Sequence, residues 1–305
     1  MNGVINVYKE AGFTSHDVVA KLRGIVKQKK IGHTGTLDPD AEGVLPVCLG
    51  NATKLCGLLT EKEKTYRAVL LLGQTTDTQD TSGRVLTEAA VTASEAEVRE
   101  AILSFLGDYD QIPPMYSALK VNGKKLYELA REGKEVERQA RRVRILEMEI
   151  QEIRLPEVTF TVTCSSGTYI RTLCQDIGEK LGCGGCMKSL LRTQVDRFEL
   201  SESHKLSELE ELMGSGRIEE VLLPVDQVFA ACPAVRIRPE SDRLIQNGNP
   251  FTREDIAEHT GEIPAEGTEL ERTCVRVYNS RGGFMGLYRR EQGGKRYKPE
   301  KMFLG

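Results

Sequence analysis

No apolar run in this chain approaches the ~18 residues that a membrane-spanning helix needs, and Met1 is not followed by a basic-then-apolar secretory pattern. The expectation is therefore a soluble protein that stays in the cytoplasm. Repeats and low-complexity tracts are also missing, as is a glycine-rich phosphate loop ending in Gly-Lys-Ser/Thr. Cys183 and Cys186 in "LGCGGCMKSL" have a metal-like spacing, but no second Cys-x-x-Cys or histidine cluster completes a four-ligand zinc site. That pair reads as a turn of small residues. The 8 cysteines are scattered among apolar neighbours, so buried free thiols are expected.

What is present suits one large domain and a small one: 305 residues with an apolar fraction of 39%. The net charge of −3 argues weakly against nucleic acid, but its distribution argues for it. Residues 21–30 ("KLRGIVKQKK") carry five cations and no acid, and residues 120–144 carry nine cations against four acids. Residues 281–301 carry seven against two. Each tract alone reads as a solvated face; three in one chain suggest a polyanion footprint, RNA or DNA.

Periodicity divides the chain further. A strand is expected over Val4–Val7, and Thr14 or Ser15 can cap a helix carrying Val18, Val19, Leu22, Ile25 and Val26. Ser94 and Glu97 form a capping box for a helix through Leu106, and Asn122-Gly123 marks a hairpin-like turn in a charged excursion. Strands are expected around Val143–Ile150, at Val158–Cys164 and at Thr193–Leu200, with a helix over Tyr169–Lys180. Near residue 230 the pattern changes to short strands and glycine turns. The organisation expected is an α+β domain over 1–230, with a basic insertion at about 120–144, and a β-rich module over 231–305.

Residues 29–43 read "KKIGHTGTLDPDAEG", where few residues favour helix or strand, so a loop is expected. A phosphotransferase pair of Asp38 and Asp40 would end a hydrophobic strand, yet these two follow a polar, glycine-broken run. A glycosidase-like pair among Asp38, Asp40 and Glu42 is possible by spacing, although neighbouring loop acids more often face solvent separately. On this segment alone, an Asp-Pro turn and a catalytic acid remain equally open.

The surrounding words are more specific. "GHTGTLDPDAEGVLPVCLGNATKL" closely resembles the active-site motif of the TruB-type family, the tRNA pseudouridine-55 synthases. "NVYKEAGFTSHDVV", "EKTYRAVLLLGQTTDTQD", "IPPMYSALKVNGKKLYELAREG", "CSSGTYIRTLCQDIGEKLGCGG" and "LLRTQVDRFEL" are similar to further family blocks, in the family's order, across most of residues 3–200. Glu10 departs from the pattern, standing where the family usually has proline. Residues 231–305 resemble, more loosely, the PUA-like modules that end many of these enzymes.

The resemblance implies a mixed, largely antiparallel central sheet with flanking helices and loops, followed by a small β-rich PUA-like domain. It implies an isomerase that turns a T-loop uridine of tRNA into pseudouridine after flipping it, without cofactor or metal, acting as a monomer without a protein partner. Asp38 would be the catalytic carboxylate, as nucleophile or as base, and Arg171 the cation that keeps it ionised. Tyr66 would stack on the target base and take its C5 proton, and His33 would prop open the T-loop. Lys9, Lys29, Lys30, Lys124, Lys125, Arg141 and Arg142 are candidate RNA contacts, and Leu200 a candidate pocket floor. Two other classes stay in view: an RNA-binding scaffold without catalysis, and a metal-dependent phosphohydrolase using Asp38 and Asp40.

Overall fold

The computed structural model describes residues 1–121, 123–264, 274–291 and 294–304. Strand β1 (Gly3–Lys9) extends the expected apolar run at both ends. Helix α1 (Ser15–Ile25) starts from a capping box in which Thr14 and Asp17 satisfy each other's backbone N–H. Ser15, the other cap candidate, is buried inside the first turn instead. The segment expected as one loop is partly ordered: β2 (Ile31–His33) pairs antiparallel with β3 (Glu42–Leu49), leaving 34–41 as the irregular part. A 3-10 turn (Gly50–Leu55) and α2 (Cys56–Thr60) lead to β4 (Lys64–Leu72). The hairpin β5 (Gln74–Thr76) and β6 (Val85–Glu88) comes next, then α3 (Glu95–Leu103), capped by Ser94 and Glu97 and shorter than expected.

Beyond β7 (Gly107–Gln111) lie the small strands β8 (Lys120–Val121) and β9 (Lys124–Lys125) and helix α4 (Leu126–Arg131). Asn122 of the expected turn lies outside the described residues. The long strands β10 (Arg141–Arg154) and β11 (Glu157–Cys164), helix α5 (Ile170–Lys180) and strand β12 (Gly185–Val195) complete the sheet's centre. The strand expected over Thr193–Leu200 is not continuous. The chain reverses at Asp196 (φ 49°) and returns as β13 (Phe198–Glu199). Helix α6 (Leu206–Gly214) and β14 (Leu222–Leu223) come after it.

These strands form one sheet in the order β14-β1-β3-β12-β4-β11-β10-β7, with β2 added to β3 and β13 to β12. Neighbours are antiparallel except β12 and β3, which run parallel at Leu191↔Glu42 and Arg192↔Gly43. Gly43 is required there: its φ is +105°, and an added Cβ would lie 2.2 Å from the Arg192 carbonyl oxygen. Helix α5 covers β4 and β11, burying Leu173 and Ile177 with Leu70, Phe160 and Val162. Helices α1 and α6 cover β1 and β3, burying Val18, Leu22 and Leu209 against Val7 and Leu45.

The second sheet is built from β15 (Ala234–Ile237), β16 (Phe251–Thr252), β17 (Ile256–Thr260), β18 (Cys274–Tyr278), β19 (Phe284–Arg290) and β20 (Arg296–Met302), with helix α7 (Asp242–Gln246) after β15. Its order is β16-β20-β19-β18-β15-β17, and among the described residues only β15 and β18 pair in parallel. It docks on the first sheet through Leu287 and Phe303, which pack with Val44, Leu55 and Phe198. Lys54 Nζ adds a 3.0 Å bond to the Met302 carbonyl. Among the described residues, no helix is long and apolar enough to cross a membrane.

Candidate active site

Both ends of the 34–41 segment are pinned by strands, because Lys9 at the end of β1 pairs with Gly43 on β3. Side chains then shape the segment from beneath. Ser15 Oγ accepts the Leu37 N–H at 2.9 Å, and Leu37 is buried in the same apolar cluster as Tyr66. The Lys9 side chain is fully buried, and its ammonium donates to the carbonyls of Ala41 (2.5 Å), Pro39 (2.9 Å) and Glu10 (3.2 Å). The Ala41 N–H donates to the Asp38 carbonyl at 3.2 Å, closing the turn. Asp38 is thereby held in place with 39% of its side chain open to solvent.

Arg171 reaches this carboxylate from the first turn of α5. Its Nε lies 2.8 Å from Asp38 Oδ2, and its Nη2 donates to Oδ1 at 3.3 Å, a two-point contact. The remaining guanidinium donors bond the carbonyls of Thr78 (2.9 Å) and Tyr116 (2.8 Å), so Arg171 is satisfied although only 5% exposed. Burial pushes the Asp38 carboxyl above the ordinary carboxylate range; the Arg171 cation pulls it back, Asp80 pushes it up, and Lys9 pulls it down. The second carboxylate near Arg171 is Asp80, 3.8 Å from Nη1, while Asp40 is exposed and Glu42 accepts the Tyr8 hydroxyl.

Tyr66 on β4 stands opposite Arg192 on β12. Arg192 is 1% exposed, and its guanidinium donates to the carbonyls of Val44 (2.7 Å), Gly35 (3.4 Å) and Thr36 (3.5 Å). Burial pushes the Tyr66 phenol up, and Arg192 opposes that shift by favouring a negative oxygen. His33 ends β2, its Nδ1 accepting the Gly35 N–H at 3.3 Å, which leaves the proton of the neutral ring on Nε2. Burial, then His16 and Arg192, lower its pKa, so the ring is neutral near pH 7. One loop thus gathers a carboxylate, its cation, a buried phenol with a second cation, and a neutral imidazole.

Comparison with known proteins decides what this arrangement belongs to. The profile of the TruB family pseudouridylate synthase N-terminal domain matches residues 23–170, and that of the tRNA pseudouridylate synthase B C-terminal domain matches residues 171–230. A tRNA pseudouridine synthase B of Lachnoclostridium phytofermentans is 54% identical over 312 residues, spanning 100% of both chains. The chain belongs to the TruB family of pseudouridylate synthases. A relative of the same name in Alkaliphilus oremlandii is 46% identical across 97% of this chain and 96% of its own. A solved H/ACA RNP bound to a substrate RNA containing 2′-deoxyuridine includes a chain that superposes with a TM-score of 0.73 at 25% identity, covering 99% of this chain and 85% of that one. The mixed sheet is the pseudouridine synthase fold, and the second sheet is its β-rich, PUA-like companion.

Two expected binding residues of this TruB family member are placed elsewhere. Lys9 cannot meet RNA, because its ammonium is consumed by the three carbonyls beneath the Asp38 loop. Leu200 packs with Val44, Cys48 and Phe198, since the reversal at Asp196 carries it away from Tyr66. Leu190, on β12 before that reversal, shares the cluster of Leu37 and Tyr66. Lys29 and Lys30 are exposed beside the loop. Lys124 is exposed and lies 3.5 Å from Glu132, while Lys125 donates to the Tyr127 hydroxyl at 3.1 Å. Arg141 and Arg142 are exposed on β10, pairing with β7 rather than standing in the excursion, and Arg142 forks onto Asp110 at 2.8 and 2.9 Å. Glu10, in place of the usual proline, sets its carboxylate 3.7 Å from Lys205.

Burial lowers the Lys9 ammonium to about 8. Lysine in the unfolded chain titrates near 10.4, so between those values the unfolded chain binds the extra proton and stability contributed by this group rises with pH. In Lys9→Met that gain is absent. Urea unfolding at pH 7 and pH 10 is expected to show the wild-type-minus-variant stability difference shifting in favour of wild type at pH 10. An unchanged difference would mean that Lys9 titrates as a free side chain.

Proposed function

We propose that this pseudouridylate synthase isomerises a uridine in the T-loop of tRNA, with Asp38 as the catalytic carboxylate. The observation that carries the reading is the two-point pairing of Asp38 with buried Arg171, next to Leu37, which packs in one cluster with Tyr66. The reaction breaks the N1–C1′ bond, turns the base and joins C5 to C1′; C5 loses a proton and N1 gains one. Nothing else is exchanged, so the balance requires no cofactor. Asp38 must be ionised to act at C1′ as nucleophile or at C2′ as base, and Arg171 offsets the burial that opposes its charge. Tyr66 offers an aromatic face to the flipped base, worth ~1–3 kcal/mol by stacking. To take the C5 proton Tyr66 must already be a phenolate, the form that the neighbouring Arg192 cation favours, and the transfer returns it to the neutral phenol. His33, neutral and at the loop edge, fills the gap left by the flipped nucleotide.

The catalytic unit spans residues 1–230, with a thumb-like insertion that begins at about 120 and ends where β10 starts at Arg141, and the PUA-like unit spans 231–305. Lys29, Lys30, Lys124, Lys125, Arg141 and Arg142 supply phosphate contacts. The present partners of Lys124 and Arg142 are exposed carboxylates, and such pairs are worth only ~0.2–1 kcal/mol, so phosphates can replace them. The enzyme acts as a monomer in the cytoplasm. Tritium release from a C5-labelled T-loop transcript tests the activity directly; its absence under conditions where the transcript binds would leave an RNA-binding scaffold. For the contacts, Lys124→Ala and Arg141→Ala are each expected to flatten the slope of log affinity against log salt by about 1. Unchanged slopes would remove those residues from the interface.

A further inference from the structure

Gln111 ends β7 and is 1% exposed. Its side-chain amide clasps the Tyr169 peptide: the Tyr169 N–H donates to Oε1 at 2.8 Å, and Nε2 donates to the Tyr169 carbonyl at 3.0 Å. Nε2 also donates to the Tyr109 hydroxyl at 2.7 Å, which in turn donates to Asp176 Oδ2 at 2.8 Å. Burial lifts the Asp176 carboxyl to about 6, which still leaves it ionised at pH 7 as an acceptor. Tyr169 is the N-cap of α5 and makes no side-chain capping bond. Gln111 instead satisfies the N–H of the N-cap residue itself, the bond that a Glu or Gln at N3 makes in a capping box, from 58 residues earlier in the chain. Asp176 lies in the second turn of the same helix and accepts from Tyr109, so β7 holds α5 at two points.

The clasp ties together two segments that both lead into the Arg171 site. Two residues beyond Tyr169 stands Arg171, and five beyond Gln111 stands Tyr116, whose carbonyl accepts from Arg171 Nη2. Bonding at two points holds the Tyr169 backbone on both sides of its Cα, and with it the direction in which α5 starts. We propose that Gln111 is a positioning residue for the isomerisation: by clasping the Tyr169 peptide it aims the Arg171 guanidinium at Asp38. The inference rests on the assignment of Asp38 and Arg171 as the working pair. Asp38 is faced by Arg171 from α5, by Asp80 from the turn after β5 and by Lys9 from β1; of these, Gln111 governs Arg171. Misplacement by 1 Å of a group that orients the reacting atoms costs ~10²-fold in rate.

A double-mutant cycle tests this, with tritium release from the T-loop transcript measured for Gln111→Met, Arg171→Lys and the double variant. Gln111→Met is expected to lower kcat ~10–100-fold with KM for the transcript within ~2-fold. Placed on Arg171→Lys, it is expected to add less than ~2-fold, because the group it positions is already changed. Losses that multiply would mean that Gln111 only supports the fold, and a wild-type kcat in Gln111→Met would also overturn the proposal. If Gln111→Met does not fold, Gln111→Asn takes its place: it keeps a buried amide but withdraws it by one methylene. Wild-type activity in Arg171→Lys would instead overturn the Asp38–Arg171 assignment itself. An impaired Arg171→Lys beside an unimpaired Gln111 variant overturns only the role of Gln111.

Discussion

Asp38→Asn is expected to slow tritium release by about 10⁴-fold while leaving affinity for the T-loop transcript within a few-fold of wild type. Asparagine matches aspartate in shape, and its carbonyl can still accept from Arg171, but it supplies neither a nucleophilic charge nor a base. The fold persists in the variant, because Arg171 keeps the Thr78 and Tyr116 carbonyls and the loop keeps its grip from Lys9 and Ser15. One charge, rather than packing, therefore separates the two proteins. Activity within tenfold of wild type would take Asp38 out of the chemistry. A loss of binding in parallel with activity would make the residue structural.

The second large effect is on Arg171. Arg171→Met is expected to lower kcat at pH 7 by about 10²–10³-fold and to move the acidic limb of the kcat profile to higher pH. The sign is set by the active form being ionised. Burial already raises the Asp38 carboxyl, and Arg171 is the first of the influences holding it down. Without that cation the carboxyl rises further, fewer molecules are ionised at pH 7, and activity recovers as pH rises. The stability sign agrees. A carboxyl raised in the folded state contributes most below its unfolded value of about 3.9, and that contribution is lost as pH rises through the folded value. Ionised Asp38 at pH 7 is thus a burden that Arg171 offsets. Removing the cation also strands two carbonyls, and a destabilisation of about 2–4 kcal/mol is expected, reduced by the 39% openness of Asp38. An acidic limb that stays put or moves down would contradict the pairing.

Much of the scaffold is dictated by local rules. Thr14 with Asp17 and Ser94 with Glu97 announce helix starts through their own side chains, and the alternation of Val158–Cys164 announces a strand with one buried face. The places where local patterns mislead are those where a distant segment intervenes. Ile31–His33 looks like loop because its glycine and histidine have little strand preference, yet pairing with Val47–Leu49 orders it. Leu200 looks continuous with Thr193, but the chain reverses between them at Asp196. Lys9 resembles any surface cation next to a glycine turn. Only the carbonyls of Pro39 and Ala41, thirty residues away, explain why an ammonium would be buried there.

The same division runs through the site. Asp38, Tyr66 and Arg171 are marked by the words around them, because each lies in a stretch whose residue types resemble those of one family in order. Gln111 lies just outside those stretches and Arg192, though inside one, shows nothing of its role there, since a buried guanidinium or amide is defined by its acceptors, and those come from other strands and loops. By itself the sequence determined most of the elements and the family, and pointed to Asp38 and Arg171 as the pair to test. Only the tertiary structure decided the geometry of that pairing, which cation stands by the phenol, and which residues stay buried to aim them. The reason is physical: charge and hydrogen bonding act over a few ångströms in space, and Asp38 and Arg171 are 133 residues apart along the chain.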